Sequence, residues 1–342
     1  MLNNRTFGFH LRHRFLYITL IISAFCIVKS VNGQDIHFSQ YYYSPLNLNP
    51  AYTGLFEEDC RFTAIYRSQW SSIDVPYSTF SGSYEIKRNI GEDILGLGVV
   101  LFNDRSGAVR YEQNSIYLSG SYQKRFEENI LSFGLQGGYG ARAIRTDLTF
   151  DGNYNNATGN FDAGIGEISD IPSANYIDFN TGVAWKGKFD KFSYTVGGSL
   201  FHLLQPNISH YGNSDVRLER KFGLNADVSF PIKEGKYVLH PSAMFMNQGE
   251  FMESVFGMMM LTNFAGKLID LGGYFRKTSN NTDAAVFHAG MGFNNIKIGV
   301  SYDVNISSLI NATEYYGGFE IGLIYLCPAT LLKMVEVPCE RY

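Results

Sequence analysis

The stretch KFGLNADVSFP, residues 221–231, places Phe222, Leu224, Ala226, Val228 and Phe230 in one register and Lys221, Asn225, Asp227 and Ser229 in the other. Successive side chains of a strand point to opposite faces, so this segment shows hydrocarbon on one side and polar groups on the other. A soluble sandwich can contain one such strand. A transmembrane barrel repeats it around the wall, because lipid covers the outside and a polar interior lies within.

The chain does repeat it. YSTFSGSYEIK (77–87) sets Phe80, Gly82, Tyr84 and Ile86 against Ser81, Ser83, Glu85 and Lys87, and similar segments run from RFTAIYRSQW (61–70) to GGFEIGLIYL (317–326). Together they make about fourteen segments of roughly ten residues, the length a tilted strand needs to cross a bilayer. A Lys or Arg facing lipid at mid-bilayer costs about 2–4 kcal/mol. Glu85, Lys87, Asp227, Lys297, Asp303 and Glu320 all keep to the non-lipid register. The expected fold is all-β: an antiparallel up-and-down transmembrane barrel of outer-membrane type over residues 60–326.

Residues 1–14 carry Arg5, Arg12 and Arg14 without an acid, residues 15–28 are apolar, and Val31 and Gly33 precede Gln34. This is the pattern of a secretory signal peptide over 1–33. Bulky Phe25 argues against lipidation of Cys26. Removing Arg5, Arg12, Arg14 and Lys29 from the 28 basic residues leaves 24 against 32 acids, a net charge of −8. That balance argues against a nucleic-acid partner.

Connection lengths point the same way. Every second turn is short, as in RNIGED (88–93), QKRFEEN (123–129), KGKFDK (186–191), PIKEGK (231–236), NFAGK (263–267) and Asn294-Asn295, whereas 144–175 and 204–219 are long. Short periplasmic turns and longer outer loops are the habit of outer-membrane barrels, and they place both termini in the periplasm. A soluble sandwich, whose turns need not alternate, is the rival reading. Residues 34–59 hold SPLNLNPAYTG, whose prolines and asparagines disfavour both helix and ladder and read as a turn-rich plug or brace packed into or beneath the lumen.

A family resemblance enters on particular residues: Gln40, Tyr41, Pro45, Asn49, Pro50, Ala51, Tyr52 and Gly54 in QYYYSPLNLNPAYTG, then Gln69 and Trp70 in IYRSQW. Gln205, Pro206 and Asn207 in HLLQPNIS, the HPSAMF strand, Tyr302 and Asp303 in YDVNIS, and Glu320 in GGFEIGLIY follow in order. The chain resembles the PorP/SprF family of type IX secretion system outer-membrane proteins of Bacteroidetes. The resemblance implies a role in export, capture or surface anchoring of a large secreted adhesin through its C-terminal domain, linked to gliding motility. Its implied partners are that adhesin, subunits of the type IX secretion machinery and outer-membrane lipid, with room for a periplasmic lipoprotein below. A porin-like channel for small solutes is the alternative.

The residues point to no enzyme and no cofactor. His37, His202, His210, His240 and His288 are scattered, with no HExxH and no zinc-type His/Cys set. His240 near Ser242 is a pair that strand alternation produces readily. In DGNYNNATGNFD (151–162), Asp151, Asn153, Asn155 and Asp162 fall at EF-hand spacing. Asn156 stands where Gly is expected and Asp162 where a Glu should close the site, so a polar loop is expected and calcium is left open. With His210 and Tyr211 of the other long loop, these residues are the candidate partner-binding positions. Barrel closure brings Cys60, at the start of the first strand, beside Cys327, at the end of the last. A disulfide from Cys339 to Cys60 or Cys327, pinning the tail 327–342 beneath the barrel, is the expected pairing.

Overall fold

The computed structural model describes residues 35, 37–69, 76–107, 111–144, 154–155, 160–161, 172–212, 216–233, 235–279, 282–306 and 317–327. The expected signal peptide, Trp70, Asp151, Asn153, Asp162, Cys339 and the tail beyond Cys327 lie outside the described residues, and Asn155 is described only as part of a short strand.

The strands are β1 (Cys60–Gln69), β2 (Tyr77–Ile90), β3 (Asp93–Ser106), β4 (Tyr111–Phe126), β5 (Asn129–Ile144), the short pair β6 (Tyr154–Asn155) and β7 (Asn160–Phe161), and β8 (Ala174–Phe189). They continue with β9 (Phe192–Phe201), β10 (Lys221–Ile232), β11 (Tyr237–Gln248), β12 (Phe251–Phe264), β13 (Lys267–Thr278), β14 (Thr282–Phe293), β15 (Ile296–Asn305) and β16 (Gly318–Leu326). All but β6 and β7 form one closed antiparallel barrel of fourteen strands, each beside its neighbour in sequence. Closure comes where β1 meets β16, with Arg61 opposite Leu326 and Gln69 opposite Gly318. Closure leaves no unpaired edge, which a wall in hydrocarbon requires.

Strand β10 shows why these residues form a wall. Phe222 and Leu224 are 52% and 59% exposed, while Asn225 between Leu224 and Ala226 is 5% exposed. The apolar register faces outward and the polar register faces the lumen. The same holds for β2, where Phe80 and Tyr84 are exposed and Ser81, Ser83 and Glu85 are buried.

One end of the barrel has only short turns, at residues 91–92, 127–128, 190–191, 233–236, 265–266 and 294–295. The other end carries the long connections, though β11 and β12 are joined there by residues 249–250 alone. At the short-turn end Cys60 and Cys327 form a disulfide with Cα atoms 5.1 Å apart. This corrects the expected bridge to Cys339: barrel closure sets the two rim cysteines directly together and uses both.

Residues 35–59 run through the lumen from one end to the other. Asp35 N–H donates to Gln248 Oε1 (2.7 Å), at the long-loop end of β11, and residue 60 begins β1 at the short-turn end. The described chain therefore starts and finishes at opposite ends of the barrel. The expectation that both termini lie in the periplasm rested on the alternation of turn lengths, which does not count a segment threaded through the lumen.

Candidate functional site: a plugged lumen

Within residues 35–59 the backbone makes three successive single turns, at Tyr41–Tyr43, Pro45–Leu48 and Pro50–Tyr52. Pro45 and Pro50 each open a turn, where their fixed φ suits the first helical position and their missing N–H costs nothing. The Asn49 side chain caps the last turn by accepting from Ala51 N–H (2.9 Å). Gly54 then takes φ +70°, a conformation that glycine adopts without a Cβ penalty. The segment touches every strand of the barrel, and it does so through two unlike anchors and a latch.

The first anchor is charged. Backbone N–H groups of Ser39 and Gln40 donate to the two carboxylate oxygens of Glu320, at 2.7 and 2.8 Å. Arg67 pairs with the same carboxylate and with Asp303 at 2.9 Å. Arg276 also reaches Asp303, at 2.8 Å. Ser39 Oγ sits among them, donating to Asp303 (2.8 Å) and accepting from Arg67 (2.9 Å) and Arg276 (2.7 Å). Two guanidiniums and two carboxylates, all buried, compensate one another, as buried charges must. Beside them His37 faces Glu253 on β12 at 3.1 Å.

The second anchor is a cradle of glycines. Lumen-facing Gly96, Gly134, Gly182 and Gly197 lie on β3, β5, β8 and β9. A Cβ at Gly96 would strike the Thr53 carbonyl, one at Gly134 the Pro50–Ala51 peptide, and one at Gly182 or Gly197 the Asn49 amide. Only a bare backbone lets residues 49–53 come this close. Small hydroxyls beside the glycines satisfy the segment's carbonyls: Ser132 Oγ donates to Ala51 O (2.6 Å), Ser121 Oγ to Thr53 O (2.6 Å) and Ser199 Oγ to Leu48 O (2.9 Å). Asn49 Nδ2 donates in turn to the carbonyls of Val183 (3.0 Å) and Gly198 (3.1 Å). Beyond the cradle, Gly54 N–H donates to Glu85 (3.0 Å), which Arg61 also holds.

The latch lies at the long-loop end. His202, just past β9, bridges Asp35 of the plug through Nε2 (2.6 Å) and Asp178 of β8 through Nδ1 (2.7 Å), and Lys221 reaches Asp35 at 3.0 Å. Burial favours the neutral ring, but the two carboxylates outweigh it and raise the His202 pKa to about 9. Burial likewise works against the charge on Asp35, and Lys221 and His202 outweigh it, holding that carboxyl well below the usual range.

The resemblance-bearing residues thus divide. Gln40, Tyr41, Pro45, Asn49, Pro50, Ala51, Tyr52 and Gly54 build the plug, Tyr41 donating to Ser242 Oγ (2.8 Å) and Tyr52 meeting Asn225, while Asp303 and Glu320 hold it. Tyr302 faces outward and is exposed. Gln69 ends β1, and Gln205, Pro206 and Asn207 shape the loop 202–220, where Asn207 bridges Arg217. In that loop His210 Nδ1 approaches Pro172 O (2.9 Å) and Tyr211 is exposed. His240 pairs across the strands with Ser229 (2.8 Å), not with Ser242. Sequence reasoning missed Arg67, Arg276, His202, Asp178 and the glycine cradle as one assembly; lumen register was the available signal for the charges, and the glycines carried none.

Residues 30–325 match the family described as type IX secretion system membrane protein PorP/SprF. Among solved structures, the CymD monoaromatic hydrocarbon channel aligns at 9% identity, covering 86% of this chain and 95% of that one, with a TM-score of 0.50. The toluene transporter TbuX of Ralstonia pickettii aligns at 11% identity over 82% and 92% (TM-score 0.47). A FadL homologue of Pseudomonas aeruginosa aligns at 12% over 81% and 92% (TM-score 0.47). At such identities the likeness is one of fold alone. No curated protein matches.

Proposed function

The chain belongs to the PorP/SprF family of type IX secretion system membrane proteins, and from that premise we propose that it is a non-enzymatic outer-membrane barrel that captures or anchors a secreted surface adhesin, in support of its export and of gliding motility. The observation that carries this reading is the plug. Residues 35–59 fill much of the lumen and bond to the wall all round, and the cavities beside the plug are separate and small, about 50 Å³ next to Asp35, Asn47, Tyr117 and His202 and about 220 Å³ next to Tyr52, Leu55, Asp227 and His240. A wall so occupied suits a scaffold that presents loops to a polypeptide and does not suit an open solute path. In this reading the long-loop end faces outward, its exposed Leu204, Tyr211 and Val216 offering apolar contact area of the kind protein partners use. Strand β5 ends and β8 begins at the same end. The short-turn end then faces the periplasm and the secretion machinery, where a lipoprotein could sit.

The test is affinity purification of the tagged barrel from outer membranes of its own cells, with mass spectrometry of what stays bound. The expected result is a large surface protein or secretion-machine subunits, with adhesin capture reduced when residues 150–165 are replaced by a short Gly/Ser link. Recovery of the barrel alone, together with steady ion conduction in a planar bilayer, would turn the reading to a solute pore.

A further inference from the structure

The larger of those two cavities, of about 220 Å³, lies on the short-turn side of the plug: Arg61, Lys186 and His240, which line it, stand near the short-turn ends of their strands. Leu48, Tyr52 and Leu55 of the plug give it an apolar ceiling, with Tyr41 and Tyr42 beside them. A hollow of about 150 Å³ accepts a benzene ring, so this vestibule has room for a short aliphatic chain.

Its charges are unequally matched. Arg61 is held by Glu85 through two contacts, at 2.9 and 3.0 Å, and Lys186 is turned to Glu57 at 2.8 Å. Asp227 has no such partner among the described residues. Asn225 Nδ2 stands 3.4 Å from one of its oxygens and His240 Nε2 3.7 Å from the other, while His240 Nδ1 is engaged with Ser229 (2.8 Å). Elsewhere in the lumen Glu320 and Asp303 have arginines, and Asp270 has His288 at 2.6 Å and Lys297 at 3.5 Å. The Asp227 side chain is 20% exposed, so a molecule in the vestibule can reach it. A carboxylate largely withdrawn from water and lacking a close cation gains by acquiring one. Tyr41, Tyr42 and Tyr52 add rings of the kind whose faces attract a cation.

We infer that the vestibule is a binding site for an aliphatic ammonium group, its carbon chain lying along Leu48 and Leu55 and its charge on Asp227. A lysine side chain of a polypeptide and a free alkyl amine carry this same chemistry. Thr195 pairs in the sheet with both Lys186 and Asp227 and lines the vestibule, so a larger side chain there fills the space the carbon chain needs.

The experiment uses the full chain in detergent micelles and an aliphatic diazirine ending in an ammonium, beside the same diazirine ending in a carboxylate. Labelled peptides are mapped by mass spectrometry, and each variant is checked for barrel folding by heat-modifiable migration. The ammonium probe is expected to label residues 48–55 and 227–240. Labelling there should be about tenfold lower for the carboxylate probe and for Asp227→Asn, the change that follows loss of one charge-assisted contact, and Thr195→Phe should suppress it. Butylammonium and a peptide with one internal lysine then compete with the probe; the stronger competitor identifies the source of the group, and either one sustains the inference. Equal labelling by the two probes, labelling that Asp227→Asn and Thr195→Phe leave unchanged, or failure of both competitors would overturn it.

Discussion

The two anchors of the plug achieve the same docking by opposite means. Around Ser39 and Gln40 the wall supplies charge: Glu320 accepts two adjacent backbone amides, and Arg67, Arg276 and Asp303 complete a compensated cluster. Around residues 49–53 the wall withholds side chains altogether, and glycines let backbone meet backbone. The first anchor depends on every charge having its partner. The second depends on volume, and its hydrogen bonds are neutral. Electrostatic docking is therefore sensitive to losing one group, and steric docking to gaining one.

The comparison can be broken most severely at the charged anchor. Replacing Arg67 by Met leaves Asp303 and Glu320 short of a cation in a buried site, a loss of about 3–5 kcal/mol for such pairs. The expected outcome is a folded barrel whose residues 35–45 become open to protease and whose bilayer conductance rises above that of the native protein. Unchanged protection and conductance would show that Glu320 holds the segment without its arginine.

The latch gives the next largest effect and a pH dependence of defined sign. His202 is raised in the folded protein to about 9 from an ordinary 6.5, so its contribution is complete below pH 6.5 and is lost as pH rises through about 9. The shift corresponds to about 3 kcal/mol. Asp35 is held low, so its contribution is present above the usual carboxylate range and fades as pH falls through its lowered value. Hydrogen exchange at residues 37–41 is expected to accelerate between pH 6.5 and 9.5 beyond its intrinsic pH dependence. His202→Gln should remove that excess; an excess that persists in the variant would place the titrating group elsewhere.

The cradle sharpens the contrast at smaller magnitude. Gly134→Ala adds one methyl group against the Pro50–Ala51 peptide, overpacking that costs about 1–3 kcal/mol. Gly198→Ala adds the same group on the lipid-facing side, where its nearest neighbour would be Leu224 at an ordinary 3.6 Å, a change within about 0.5 kcal/mol. Thermal melting of the plug, followed by protease sensitivity of residues 35–59, is expected to drop for the first and hold for the second. Equal drops would mean that the glycines serve the wall itself and not the plug.

The sequence by itself determined the wall. Period-two alternation, with Phe222 and Leu224 in one register and Asn225 and Asp227 in the other, is a local property, and hydrocarbon enforces it on every strand. Strand number, turn positions and the lumen register of Glu85, Asp303 and Glu320 follow from it. What the alternation could not say was what fills the lumen and from which end. Gly134 and Gly182 read as ordinary strand glycines until residues 49–53 lie against them, and Arg67 reads as one more inward charge until Ser39 arrives. His202 and Asp35 are 167 residues apart, and only barrel closure brings them within a hydrogen bond. Cys60 and Cys327 are 267 residues apart, and their pairing also waits on the seam. Those contacts join positions with no local pattern in common, so they belong to the tertiary structure: a closed wall has one interior, and the segment threaded through it must satisfy all of its strands at once.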